Sequence, residues 1–136
     1  MVNLFLGPTH DLSFLYNDEE AIRVTPQEIA TFIMQDEIIA VYNGRSEAGP
    51  RALGNRSILY DPRDINTKET VNKVKKRERF RPFAAAVLKE HANEWFDMSR
   101  LDESPTMSYA VQTRKNKKDL IPVSYTHLRA HETLLD

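Results

Sequence analysis

Thirteen residues near the middle of the chain cannot be absorbed by a helix or a strand. Gly44-Arg45-Ser46-Glu47-Ala48-Gly49-Pro50-Arg51-Ala52-Leu53-Gly54-Asn55-Arg56 holds three of the four glycines in the 136 residues, and three arginines, with no useful hydrophobic period. A fold built on this sequence must therefore place regular elements on either side of a long glycine-arginine loop. Glycine lets a backbone approach an anion closely, exposed N–H groups supply donors, and arginine adds a planar fork that matches phosphate or carboxylate oxygens. Glu47, among the arginines, can hold a guanidinium in position or bind a ligand hydroxyl. A phosphate site and a surface loop with structural ion pairs both remain open readings.

Charge narrows the choice. The net charge of −1 is unevenly distributed: residues 43–82 carry eleven Lys/Arg against five Asp/Glu, a local +6, and the remainder carries −7. Such a concentration suits an anionic partner, with a solvated helix face as the competing reading. Hydrophobic residues make up 40% and charged residues 29%, a globular balance for one small domain. No apolar run reaches the roughly 20 residues of a membrane span. The absence of cysteine excludes disulfides, thiolate metal sites and cysteine nucleophiles. The N-terminal residues carry no signal-peptide pattern, so a cytoplasmic protein with no membrane partner is expected.

Residues 1–25 read as a connecting segment with turns at Gly7-Pro8 and Asn17-Asp18. Thr25-Pro26-Gln27-Glu28 combines an N-cap, a proline at the first helical position and a capping-box glutamate, predicting a helix from Pro26 to about Gln35. Residues 38–42 read as a buried strand and 57–60 as a short one. A helix capped by Asp64 is predicted from Ile65 to Lys75, a strand at 83–88, a short helix or turn at 91–96, and a strand at 107–113 before a hydrophilic turn at 114–119. Strands separated by helices indicate an α/β domain. Trp95 and Phe96 read as core anchors. His91, Asp97, Asp102 and Glu103 match no metal-ligand spacing and read as polar surface.

A second basic run, Lys73-Val74-Lys75-Lys76-Arg77-Glu78-Arg79-Phe80-Arg81-Pro82-Phe83, starts on the last turn of the second predicted helix. Cations there favour the helix dipole without any function. Arg79, Arg81 and Pro82 lie beyond that turn, and an extended Arg79-Phe80-Arg81 would pack Phe80 on one side and display charge on the other, as a pocket wall does.

Residues 44–59 followed by Asp61-Pro62-Arg63 strongly resemble the signature of the O-carbamoyltransferases, the nodulation-factor and antibiotic-tailoring carbamoyltransferases. Asn72 to Phe83 resembles a second signature of that family, and Leu6-Gly7-Pro8, more weakly, its interdomain linker. The likeness is to the C-terminal domain, which implies a YrdC-like twisted mixed sheet with flanking helices; Lys75-x-Arg77 followed by Arg81-Pro82 is similar to a YrdC pattern as well. Ala85-Ala86 and Tyr60 depart from the family pattern without touching charged positions.

The resemblance implies that such a domain makes carbamoyl adenylate from carbamoyl phosphate and ATP, with Mg2+, for O-carbamoylation of a small-molecule hydroxyl. Arg45, Glu47 and Arg51 are then the catalytic candidates, and Arg56, Lys75, Arg77 and Arg81 the nucleotide-binding ones. No metal ligands are expected here, because the family's metal lies in an N-terminal actin/hsp70-like domain that transfers the carbamoyl group. That domain would be a partner in cis. Its absence, and that of a Thr-His-Val-Asp-Gly-type motif after Pro122, implies a C-terminally truncated chain inactive in transfer by itself. A YrdC-type threonylcarbamoyl-adenylate synthase is the alternative, against which the glycine-arginine signature argues. An RNA-binding module using residues 73–81 is another, but Phe80 is the only aromatic between Lys73 and Arg81, so nucleic acid is not the expected partner.

The domain boundaries expected are therefore a linker at 1–25, a partial YrdC-like domain at 26–122 and a non-native tail at 123–136. Val123-Ser124-Tyr125-Thr126-His127-Leu128-Arg129-Ala130-His131-Glu132-Thr133 is the peptide that a transposase-type sequencing adapter encodes in one frame. On this reading His127, His131 and Glu132 are no metal pair, despite their helical spacing. The tail should dock poorly or as an adventitious helix. Deleting residues 123–136 should leave thermal stability nearly unchanged, whereas a loss above about 2 kcal/mol would show that the tail is integrated.

Overall fold

Thr25 starts the first regular element just as its side chain requires. In the computed structural model, which describes residues 6–49, 51–104, 106–122 and the backbone of 130–131, the Thr25 hydroxyl accepts the Glu28 N–H at 3.3 Å. The Glu28 carboxylate returns the bond to the Thr25 N–H at 2.7 Å. This capping box opens α1, Pro26–Met34, with Pro26 at the first helical position. The chain divides into two compact units, at Tyr60 and Asp61.

The first unit contains a 3-10 turn at Ser13–Asn17, α1, and strands β1, Ile39–Ala40, and β2, Ile58–Leu59. The strands pair antiparallel, with Ile39 opposite Leu59. Bonds from Val41 N–H to Ser57 O at 2.7 Å and from Asn43 N–H to Asn55 O at 2.9 Å extend the ladder to the loop. The expected buried strand is instead half-covered: Ile39 is half-buried and Ala40 exposed. A two-stranded ladder with a single neighbouring helix cannot enclose a face. Among the described residues of this unit, none is buried.

The second unit contains α2, Thr67–Val74, strand β3, Ala85–Ala86, a 3-10 turn at Lys89–His91 leading into α3, Ala92–Trp95, strands β4, Phe96–Asp97, and β5, Gln112–Thr113, a 3-10 turn at Lys115–Leu120, and β6, Ala130–His131. Its core gathers Ala92, Phe96, Met98, Val111 and Ile121, with Ala85, Val87, Trp95 and Leu101 packed against them. Phe96 is the anchor foreseen, and a fully buried side chain of this size contributes about 2–3 kcal/mol. β4 and β5 pair antiparallel, and Lys117 lies 4.5 Å over the half-buried Trp95 ring.

Helices and strands are interspersed along the chain, consistent with an α/β domain. The pairing is mixed, antiparallel and parallel, but distributed over three two-stranded ladders among the described residues rather than one continuous sheet. β6 pairs parallel with β3 at Ala85–Ala130 and Ala86–His131, a two-residue extended contact where poor docking or an adventitious helix was expected. The rest of 123–136 lies outside the described residues. The longer strands expected at 83–88 and 107–113 are each limited to two residues. No helix among the described residues is long and apolar enough to cross a membrane.

Both longer helices end in the same device. After α1, Asp36 N–H donates to Ile33 O and Glu37 N–H to Phe32 O; after α2, Lys76 N–H donates to Lys73 O and Arg77 N–H to Asn72 O. These are Schellman motifs, and both left-handed positions are taken by residues with a Cβ, Asp36 at φ 62° and Lys76 at φ 50°. Since that conformation costs a side-chain-bearing residue about 1 kcal/mol, Lys76→Gly should stabilise the chain by about 0.5–1 kcal/mol in urea unfolding. No gain would mean that the helix end is set by other contacts.

Candidate functional site

The glycine-arginine loop is organised around one oxygen. Glu47 Oε1 accepts the backbone N–H groups of Leu53 at 2.7 Å, Asn55 at 2.7 Å and Arg56 at 3.3 Å. Burial by itself would raise the Glu47 pKa, but these amides and its own N–H outweigh it and hold the carboxyl below its ordinary value. Glu47 thus ties down the backbone of its own loop through three amides. Gly44 at φ 45° and Gly54 at φ 114° supply the left-handed turns that let the loop curl back onto the carboxylate.

Two arginines of this loop, Arg45 and Arg56, are also tied to backbone. Arg45 donates its Nε to Gly7 O and an Nη2 N–H to Leu6 O at 3.0 Å, beside an antiparallel bridge between Leu6 and Glu47. Arg56 Nη1 donates to Asn43 O at 2.6 Å and Asn55 O at 2.8 Å, its Nη2 to Gly44 O at 3.2 Å, and the guanidinium lies 3.5 Å over the Tyr42 ring. Asn55 Nδ2 completes the lashing by donating to Arg45 O at 2.7 Å. Arg51 is half-buried in the same loop.

In the second unit, Asp61 opens the corresponding region. Its carboxylate accepts the Arg63 guanidinium and backbone N–H, and Arg63, acting against burial, holds the Asp61 pKa below its usual value. Asp64 does not cap α2: the N-cap is Asn66, whose N–H donates to Asp64 Oδ1 at 2.9 Å. Thr67 Oγ1 donates to the carbonyls of Asp61 and Asp64, fixing the entry to the helix.

The fixed point of the basic run is Asn72, whose side chain is 0% exposed on α2. Its Nδ2 donates to Arg79 O at 3.2 Å and Arg81 O at 3.0 Å, while its Oδ1 accepts the Arg77 Nε–H. Arg77 is half-buried, with its guanidinium 4.3 Å over the Phe83 ring; burial first, and then the charge of Arg81, lower its pKa. Arg79 reaches Glu69 at 3.2 Å, and Arg81 reaches Glu78 at 2.8 Å; both pairs are exposed. Lys75 is the exposed C-cap of α2.

The run is therefore not an extended wall. Arg81 N–H donates to Glu78 O at 3.2 Å, closing a turn, and Phe80 projects from it 72% exposed rather than packing. Within the second unit, Lys75, Arg77 and Arg81 share the end of α2 and the turn that follows. Within the first, Arg45, Glu47, Arg51 and Arg56 share one loop. Asn72 escaped the sequence reading, although the second signature begins with it; a poor helix former within α2 was the available signal. Elsewhere, His91 pairs with Glu94 at 2.8 Å and Lys89 with Glu103 at 3.0 Å, both exposed. No group of three metal-holding side chains occurs among the described residues.

Residues 30–131 match the profile of the carbamoyltransferase C-terminus family. The chain belongs to that family. The matched range runs past Pro122 into the stretch expected to be adapter-encoded. Nodulation protein NolNO of Sinorhizobium fredii NGR234 is 49% identical over 94 residues, 68% of this chain and 14% of the relative. Nodulation protein NolO of Bradyrhizobium diazoefficiens is 44% identical over 94 residues, 68% of this chain and 17% of the relative. Nodulation protein U of the same species is 35% identical over 120 residues, 88% of this chain and 21% of the relative. This carbamoyltransferase C-terminal chain thus spans about a seventh to a fifth of the curated relatives' length.

Glu47→Gln keeps the volume of the side chain but removes the charge that attracts three amides. A loss of about 1–3 kcal/mol at neutral pH is expected. Because the folded-state pKa of Glu47 is lowered, its contribution is complete above the unfolded-state pKa and fades as pH falls through the folded one. The stability difference between the native chain and Glu47→Gln should accordingly shrink on acidification, measured by urea unfolding at a series of pH values. A difference that stays constant would locate the role of Glu47 in shape alone.

Proposed function

We propose that this chain is the nucleotide-handling part of a carbamoyltransferase, with a YrdC-like fold, that makes carbamoyl adenylate from carbamoyl phosphate and ATP. The observation that supports this best is the Asn72 clamp. One buried amide fixes the Arg77 side chain and the backbone of Arg79 and Arg81, so several cations are ordered before any ligand arrives. Two polyanions repel each other, and preordered cations offset that repulsion without reorganisation.

Water cleaves carbamoyl phosphate to carbamate and inorganic phosphate; a carbamate oxygen then bonds to the α-phosphorus of ATP, the α–β bridging P–O bond breaks, and pyrophosphate leaves. In this reading Lys75 and Arg81 contact the nucleotide phosphates through their exposed heads, while Arg77 sits behind them as a partly buried charge. Arg45, Glu47, Arg51 and Arg56 form the loop that receives the carbamoyl donor. Since Arg45 and Arg56 already donate to carbonyls, they shape that loop and offer only their remaining N–H groups to an anion. A divalent ion such as Mg2+ would arrive with the polyphosphate and be held mainly by it. Transfer of the carbamoyl group to a small-molecule hydroxyl belongs to a separate actin/hsp70-like, metal-holding domain in cis, in a cytoplasmic protein.

Isothermal titration of the 136-residue chain with ATP tests the reading. Lys75→Ala and Arg81→Ala should each weaken binding about tenfold, and Lys73→Ala, an equal charge on the exposed face of α2, less than about twofold. Lys76 is unsuited as that control because its backbone is left-handed. Equal small effects at all three positions would return the basic run to a solvated helix face.

A further inference from the structure

The turn after α2 exposes an aromatic ring in a way that simple solubility does not explain. Phe80 is 72% exposed, and its neighbours on both sides are held: the carbonyls of Arg79 and Arg81 accept the two N–H groups of the fully buried Asn72 amide. Arg81 N–H closes the turn on Glu78 O, and the flanking guanidiniums are drawn aside to Glu69 and Glu78. The ring is therefore presented on a braced turn. The exposed lysines Lys75 and Lys76 stand five and four residues before it in the same stretch of chain.

We propose that Phe80 is the stacking surface for the base of the bound nucleotide. The proposal rests on the nucleotide reading above and adds the residue that distinguishes a nucleotide from a bare polyphosphate. An exposed aromatic ring within a stretch rich in cations matches a ligand with one planar ring and an anionic tail. A strand of nucleic acid would need successive rings, and the other aromatic of this run, Phe83, lies beneath the Arg77 guanidinium. One exposed ring serves one base. Stacking tolerates any base, so Phe80 supplies affinity for nucleotides as a class, with little discrimination among them.

The test compares ATP with inorganic tripolyphosphate, which has the charge but no base, on the 136-residue chain. Phe80→Ala should weaken ATP binding about tenfold while changing tripolyphosphate binding less than about twofold. Phe80→Trp should retain ATP binding, and its added indole emission should be quenched by ATP and not by tripolyphosphate. Unchanged ATP affinity in Phe80→Ala would overturn the proposal while leaving the nucleotide reading intact. Equal losses for both ligands would overturn it too, since Phe80 would then act through the shape of the turn. If the unaltered chain binds neither ligand, the nucleotide reading itself fails. Tighter binding of an oligoadenylate than of ATP, with a steep salt dependence that Phe80→Ala removes, would overturn the assignment in favour of RNA.

Discussion

Three backbone N–H groups converging on Glu47 decide what the glycine-arginine loop can be. A segment with no hydrophobic period has no apolar face to bury, so its shape must come from directional bonds. The carboxylate supplies them, and the surrounding polar groups complete the arrangement: Asn55 donates to the Arg45 carbonyl, Arg56 reaches back to Asn43 and Gly44, and Arg45 secures Leu6 and Gly7. Residues 6 and 56, far apart in sequence, belong to one bonded network for this reason. Two of the arginines that look like ligand-binding groups in the sequence, Arg45 and Arg56, are also fasteners of that network.

The same logic operates in the second unit at smaller scale. Asn72 stands where a helix prefers an apolar or long straight side chain, and its amide replaces the bonds that an irregular turn would otherwise lack. Burying an amide is tolerable only when its donors and acceptor are satisfied, and Asn72 uses both N–H groups and its oxygen. The result is a basic segment with a defined geometry rather than a charged tail. In both units, then, one side chain with several bonding positions organises a stretch that regular secondary structure cannot.

Local signals in the sequence were reliable where the interaction itself is local. The capping box of Thr25 and Glu28 spans four residues, and it appears as read. Trp95 and Phe96 belong to the hydrophobic core region because two large apolar side chains beside a short helix have few alternatives. Strand lengths and burial were overestimated, since β-propensity registers the wish to be covered and not whether a covering layer exists. The role of Glu47 was not legible, because it depends on amides six to nine residues away meeting one oxygen. The left-handed Lys76 was not legible either: glycine advertises that conformation, and lysine does not.

The absence of buried residues among the described part of the first unit has a consequence for how that unit comes apart. Denaturants act in proportion to the surface that unfolding newly exposes, and the half-buried apolar side chains of this unit offer less of it than a closed core would. Much of the order of its loop rests on a carboxylate, two guanidiniums and carbonyl acceptors, so acidity, through Glu47, and salt act on it as well as urea. Tyr60 therefore marks a change in what disturbs the chain as well as a boundary between units: before it, acidity and salt reach the bonds that shape the loop, and after it, around Phe96, order depends chiefly on how water treats hydrocarbon.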